Sequence, residues 1–208
     1  IKLDDRCMNL TNISKPFTIY GHGWTIDARG FSRIFNITAA NVTFVDVEFA
    51  NGNASGPCGA FSPQGDGVDK GGALYWAGVN GTLIDCNFYT NNATIGGGIY
   101  YDYTATNAKI YNTSFRANNA VTNGGAIDCN SPGMELINTT FESNTAYIGA
   151  ALCREVNATG GHGFNNTFRD NHAEYAGAAL AWVNASSIHI DTYYFYDNTA
   201  GYSGGAIY

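Results

Sequence analysis

Polar and apolar residues alternate in short runs along most of the chain, as in Thr82-Leu83-Ile84-Asp85-Cys86-Asn87-Phe88 and Ala108-Lys109-Ile110-Tyr111-Asn112-Thr113-Ser114-Phe115. Period-two alternation rich in β-branched and aromatic residues predicts strands. Gly, Asn and Thr interrupt the runs every eight to ten residues, too often for a helix of ordinary length. The runs also recur. A Phe-x-x-Asn motif begins at Phe88, Phe115, Phe141, Phe168 and Phe195, at spacings of 27, 26, 27 and 27 residues. Eight or nine residues after each Phe comes a group of small residues and an aliphatic: Gly96-Gly97-Gly98-Ile99, Gly124-Gly125-Ala126-Ile127, Gly149-Ala150-Ala151-Leu152, Gly177-Ala178-Ala179-Leu180 and Gly204-Gly205-Ala206-Ile207. Gly71-Gly72-Ala73-Leu74 is an earlier copy. A fixed period of this length in a strand-forming chain predicts a solenoid, because one coil cannot bury its inward face alone. The chain reads as all-β, a right-handed parallel β-helix of about seven coils of about 27 residues, each coil holding about three short strands.

That frame gives the motif residues scaffold roles. Phe88, Phe115, Phe141, Phe168 and Phe195 would stack as an aromatic ladder in the core. Asn91, Asn118, Asn144, Asn171 and Asn198 would fall in a turn, tolerate left-handed backbone, and bond through their amides to the coils above and below. Gly and Ala would mark a sharp corner. Upstream, Phe17 to Asp27, Ile34 to Ile37 and Val42 to Phe49 continue the coil less regularly. Residues 1–16 read as an amino-terminal cap or lead-in, and 17–208 as a single β-helix domain with an insertion at about 50–70. A loop of that length in a solenoid is often functional. Because the last corner motif ends at Ile207, the chain reads as part of a longer array.

Composition narrows the function classes. Charged residues are only 13% and aromatics 14%, which argues against disorder. A net charge of −7, with 10 scattered Lys and Arg, argues against nucleic acid as a partner. No apolar run approaches the roughly 20 residues of a membrane-spanning helix, so no transmembrane segment is expected.

The pairing of Phe-x-x-Asn with Gly-Gly-Ala-aliphatic, over residues 17–208, resembles the repeat of the chlamydial polymorphic outer-membrane proteins (Pmp) and the adhesin-like surface proteins of methanogenic archaea. The opening coils are more loosely similar to pectate-lyase-like β-helices. The resemblance implies an extracellular, cell-surface or cell-envelope location and attachment to other cells. Two copies depart from the pattern, since Gly149-Ala150-Ala151 and Gly177-Ala178-Ala179 lack the second Gly.

Asn-x-Ser/Thr occurs at Asn9, Asn12, Asn36, Asn41, Asn53, Asn80, Asn92, Asn112, Asn138, Asn157, Asn165 and Asn184, 12 of 24 asparagines, where about three are expected by chance. Two readings stand: N-glycosylation of a surface glycoprotein, or a repeat that favours Asn and Thr for structural reasons. Cys7, Cys58, Cys86, Cys129 and Cys153 show no metal-site spacing. Register places Cys129 opposite Arg154 and Cys153 opposite Asp128, so these two thiols should face opposite ways.

Catalytic chemistry finds little support. Asp46 and Glu48 alternate on one run and could form a carboxylate pair, but alternation puts them on a solvated face. Asp66 and Asp69 supply too few oxygens for a calcium loop, and His22, His162, His172 and His189 have no ligand spacing. No enzyme activity, metal or cofactor is expected. Aromatics are the better clue. Tyr75 and Tyr100, one residue past the corner aliphatic, should point outward, and with Tyr103 would form a row able to stack on sugars or a protein partner. The expected function is an adhesin-like segment mediating cell–cell or cell–glycan attachment. The alternative is a structural, glycosylated envelope or filament component assembling with copies of itself. Partners are thus other cells, surface glycans or further copies.

Overall fold

In five consecutive coils the burial along the main run follows one pattern: inside, outside, outside, inside, outside, inside. It holds for Phe44 to Phe49, Leu83 to Phe88, Ile110 to Phe115, Leu136 to Phe141 and Gly163 to Phe168. Two outward residues in succession break strict alternation, and the second of them has a positive φ: Asp46 (55°), Asp85 (54°), Asn112 (50°), Asn138 (52°) and Asn165 (53°). A left-handed residue turns the chain through a corner. What reads as one alternating strand is therefore two short strands on two faces of the solenoid.

The structure, a computed structural model, describes residues 11–55 and 69–208. Most of the expected insertion and the first ten residues lie outside the described residues, as do Cys7, Asn9, Cys58 and Asp66. All described strand pairings are parallel and none of the described residues is helical. A seven-stranded sheet takes Thr11–Ile13, Phe35–Ile37, Leu74–Trp76, Ile99–Tyr101, Ile127–Cys129, Leu152–Arg154 and Leu180–Trp182 in that order. A bridge from Leu180 to Ile207 adds one more coil. A ten-stranded sheet wraps around the corner just described, because Thr43–Ala50, His162–Arg169 and His189–Tyr196 run through it on both faces. A five-stranded sheet of Asn92–Ala93, Asn119–Ala120, Thr145–Ile148, His172–Ala176 and Thr199–Ala200 closes the cross-section. The architecture is a parallel β-helix of about seven coils. Each regular coil has four strand faces rather than three, because the left-handed corner splits the longest run.

Left-handed residues recur at the remaining corners. One column is Asn41, Asn80, Asn107 and Gly133; another is Thr90, Ala117, Ser143, Asp170 and Asp197; a third is Gly71, Gly96, Gly124, Gly149, Gly177 and Gly204. In the last column the following residue is also constrained. A Cβ on Gly97 would sit 2.3 Å from the carbonyl oxygens of Asn119 and Gly125. The Gly-Ala-Ala copies accommodate Ala150 and Ala178 there, and the sheet beside Ala150 shifts register between Ala146 and Ile148.

Inside, Phe49, Phe88, Phe115, Phe141, Phe168 and Phe195 stack with ring centroids 4.6–5.3 Å apart, one coil further upstream than the motif predicts. The neighbouring Asn column is buried from Asn91 to Asn171. The left-handed residue is the one preceding each of these asparagines, so the asparagine has another task. Asn118 donates from Nδ2 to Asn144 Oδ1 (3.0 Å) and to the Phe88 carbonyl (3.0 Å), and its backbone N–H donates to the same Asn144 Oδ1 (3.0 Å). The pattern repeats from Asn91 to Asn198. These amides satisfy backbone groups at a corner where the ladder is interrupted.

Candidate interaction surfaces

Tyr75 and Tyr100 sit on the outer side of the seven-stranded sheet, since Leu74, Trp76, Ile99 and Tyr101 are the residues in the interior cluster. The expected open row is nevertheless covered: Tyr75 is 2% and Tyr100 is 4% exposed. The two rings stack at 5.5 Å. The Arg33 guanidinium lies 5.4 Å from the Tyr75 centroid, Lys70 Nζ lies 4.8 Å from that of Tyr100, and Tyr75 OH donates to Asp102 Oδ2 at 2.9 Å. Arg33 is anchored by donating from Nε to Gly71 O (3.0 Å) and from Nη2 to Lys70 O. Burial raises the pKa of both phenols and lowers that of Arg33 to about 10. Of the three expected tyrosines, only Tyr103, at 56% exposure, offers its ring to solvent. Alternation decides which way a side chain leaves a sheet, but not whether another segment lies over it.

The same outer column continues through Asp128 and Cys153, in register with Tyr100. Asp128 is fully buried beside the Cys153 thiol, and burial, reinforced by Glu155 and only partly offset by that thiol, raises its pKa well above the ordinary carboxylate value. Burial thus favours the protonated acid over the carboxylate. Cys86, Cys129 and Cys153 are buried free thiols; Cys129 belongs to the interior cluster and Cys153 does not. Asp46 and Glu48 are not a pair on one face. The corner at Asp46 intervenes, leaving Asp46 exposed while Glu48 accepts a hydrogen bond from Thr25 Oγ1 (2.6 Å).

An aromatic ridge does exist, on a different face. Tyr147, Tyr175 and Tyr202 each stand two residues before a corner glycine, in three successive coils. Their rings stack at 5.3 and 5.1 Å with interplanar angles of 13° and 5°, and Tyr147 is 44% and Tyr202 76% exposed. Beside them runs a polar column, Asn53, Asn92, Asn119 and Thr145, joined by side-chain hydrogen bonds of 2.6–3.3 Å. His172 Nδ1 and Thr199 Oγ1 (2.8 Å) extend it. The signal for the ridge was present in the sequence as Tyr at a constant offset from the corner glycine.

Among the described sequons, Asn12, Asn41, Asn80, Asn112, Asn138, Asn157, Asn165 and Asn184 are exposed, and Asn36, Asn53 and Asn92 are half-buried. Six of them, Asn41, Asn80, Asn112, Asn138, Asn165 and Asn184, have φ between 50° and 60°. Asn tolerates that region better than any other residue with a side chain except Asp. At Asn41, Asn80, Asn112 and Asn138 the Thr or Ser two residues later then starts a strand. Asn138 Nδ2 donates to Asn112 Oδ1 (3.1 Å) and Asn165 Nδ2 to Asn138 Oδ1 (2.8 Å).

Residues 192–208 match the Chlamydia polymorphic membrane protein repeat. This is the last Phe-x-x-Asn and Gly-Gly-Ala-Ile unit, and the upstream coils stack on it in register. That last coil is similar to the Pmp repeat, and repeat and parallel solenoid together fit a surface, adhesin-like protein. No curated protein and no solved structure matches the chain. No helix among the described residues is long and apolar enough to cross a membrane.

Proposed function

We propose that this chain is a non-catalytic, extracellular attachment segment of a cell-surface protein, whose flank contacts other cells or their surface glycans. The observation that carries the reading is the stacked ridge of Tyr147, Tyr175 and Tyr202, whose two end rings are exposed and whose middle ring is half-buried. The core does not need these rings, and they stay fixed because each coil positions its own. A ligand lying along the rod meets the same phenol about every 4.8 Å. Because neighbouring rings cover one another's faces, contact is made with ring edges and hydroxyl groups rather than by sugar rings stacking on open aromatic faces. The adjacent Asn and Thr column supplies further donors and acceptors. The separation of Asp46 from Glu48 by a corner, with Glu48 held by Thr25, supports the non-catalytic part.

The test is retention of the purified chain on intact cells and on immobilised cell-wall polysaccharides. A Tyr147→Ala/Tyr175→Ala/Tyr202→Ala variant runs beside it, with Tyr103→Ala as a control on another face. Saturable retention lost in the triple variant and kept in the control is the expected result. Retention unchanged by the triple variant, with circular dichroism unaltered, refutes the ridge as the contact.

A further inference from the structure

The slip of parity at the corner after each inner aliphatic leaves an apolar residue facing out in successive coils. Register fixes the column as Tyr20, Val45, Ile84, Tyr111, Ile137 and Phe164. Tyr20 and Phe164 are exposed and the four between them half-buried, so a continuous apolar stripe runs along the rod over six coils. Such a stripe with polar borders is the pattern of an interaction surface. On one side lie Thr82, Lys109, Glu135, His162 and His189, in register coil by coil. On the other lies the corner column Asp46, Asp85, Asn112, Asn138 and Asn165.

The charges on these borders select the occupant. Lys109 and Glu135 occupy equivalent positions in adjacent coils. We infer that this face pairs with the same face of a second copy, in antiparallel orientation, about a two-fold axis lying between the coils of Lys109 and Glu135. A two-fold interface is self-complementary, so residue i meets j and j meets i. Lys109 then faces the other copy's Glu135 twice, Tyr111 meets Ile137, and Ile84 meets Phe164. In the corner column Asn112 meets Asn138, and the acidic Asp85 meets the neutral Asn165. No pair of like charges is opposed. Moving the axis onto the Lys109 coil would set Lys109 against Lys109, and moving it one coil either way would leave Lys109 without the acid. The stripe supplies burial and the one Lys–Glu pair fixes register. Four apolar side chains per copy make a small interface, so the association is reversible and dependent on concentration.

Sedimentation equilibrium on the chain, Lys109→Glu, Glu135→Lys and the double exchange tests this. Lys109 is exposed, and circular dichroism checks that each variant retains its fold. A reversible dimer is expected, lost by at least tenfold in association constant in each single variant and regained in the exchange. An Ile137→Asn variant should also be monomeric. A monomer at every concentration overturns the proposal, as does a dimer indifferent to Lys109→Glu or one that the exchange fails to restore. The outcome is independent of the tyrosine ridge, which lies on another face.

Discussion

The inner asparagine ladder can be tested within a single coil, where Asn144 is inside and Asn138 outside. Asn144 is fully buried and its side chain makes four hydrogen bonds, all at 3.0 Å. It accepts from the backbone N–H and the Nδ2 of Asn118, and donates to the Phe115 carbonyl and to Asn171 Oδ1. Replacing it with Ala strands the buried backbone N–H of Asn118, leaves Asn118 Nδ2 with only the Phe88 carbonyl, and removes the amide donor from the Phe115 carbonyl. Asn171 Oδ1 still receives the backbone N–H of residue 144. A buried polar group left unpaired costs about 1–3 kcal/mol and each further lost hydrogen bond about 0.5–1.5, so Asn144→Ala should lose about 2–6 kcal/mol, a large share of the stability of a domain this size. Asn138 also belongs to an amide ladder, donating to Asn112 and accepting from Asn165, but it is exposed and its bonds exchange with water. Its φ of 52° is one that glycine adopts freely. Asn138→Gly should therefore cost under about 1 kcal/mol, mostly backbone entropy. Urea unfolding followed by far-ultraviolet circular dichroism gives both values. Equal losses, or a loss below about 1 kcal/mol for Asn144→Ala, would refute the idea that burial makes the inner ladder structural.

Three further outcomes follow from particular side chains. Burial raises the pKa of Asp128 in the folded state above its unfolded value, so the native state binds more protons as pH passes through the ordinary carboxylate range, and stability falls as pH rises through it. Asp128→Asn should raise stability at neutral pH and flatten this fall, read by thermal melts between pH 4 and 8, and a variant melting at the wild-type temperature throughout would contradict it. Phe141, stacked 5.1 Å from Phe115 and 4.8 Å from Phe168, should cost about 3–5 kcal/mol on replacement by Ala, measured by urea unfolding. Ala117 is exposed at φ 52°, where its side chain is disfavoured by about 1 kcal/mol, so Ala117→Asn should raise the melting temperature, and a lowered one would count against corner strain.

The solenoid was legible because its signal is repeated. Phe at a fixed interval must stack on its equivalents once strands from successive coils pair in register, and five copies leave little freedom in that register. The number of faces per coil was less legible, for a physical reason. A left-handed corner uses one residue without adding a visible break, and it was occupied here by Asp85, Asn112 and Asn138, which look like the polar half of an alternating strand. Glycine is the plainest sign of such a corner in sequence, and it fills only one of the four columns throughout. Counting parity on both sides of each Asn or Asp would have exposed the slip, since Leu83 and Phe88 differ by an odd number of positions yet both point inward.

The same slip explains why the surface was misjudged in both directions. Tyr75 and Tyr100 do leave the sheet outward, but Arg33 and Lys70 lie over their rings, and those contacts join residues 42 and 30 positions apart that no local pattern connects. Ile84, Tyr111 and Ile137 look like core residues by composition and are placed outside only by the corner that follows them. The sequon excess has a structural source as well: at six of the described positions the left-handed backbone favours a residue of Asn type, whether or not a glycan is attached. On the flank, three corner asparagines stand in consecutive coils, one residue after the apolar stripe. Coils rise only about 4.8 Å, too little for bulky glycans on all three. Glycans at Asn112, Asn138 or Asn165 would border that stripe and keep a second copy away, so glycosylation and pairing through this face exclude one another.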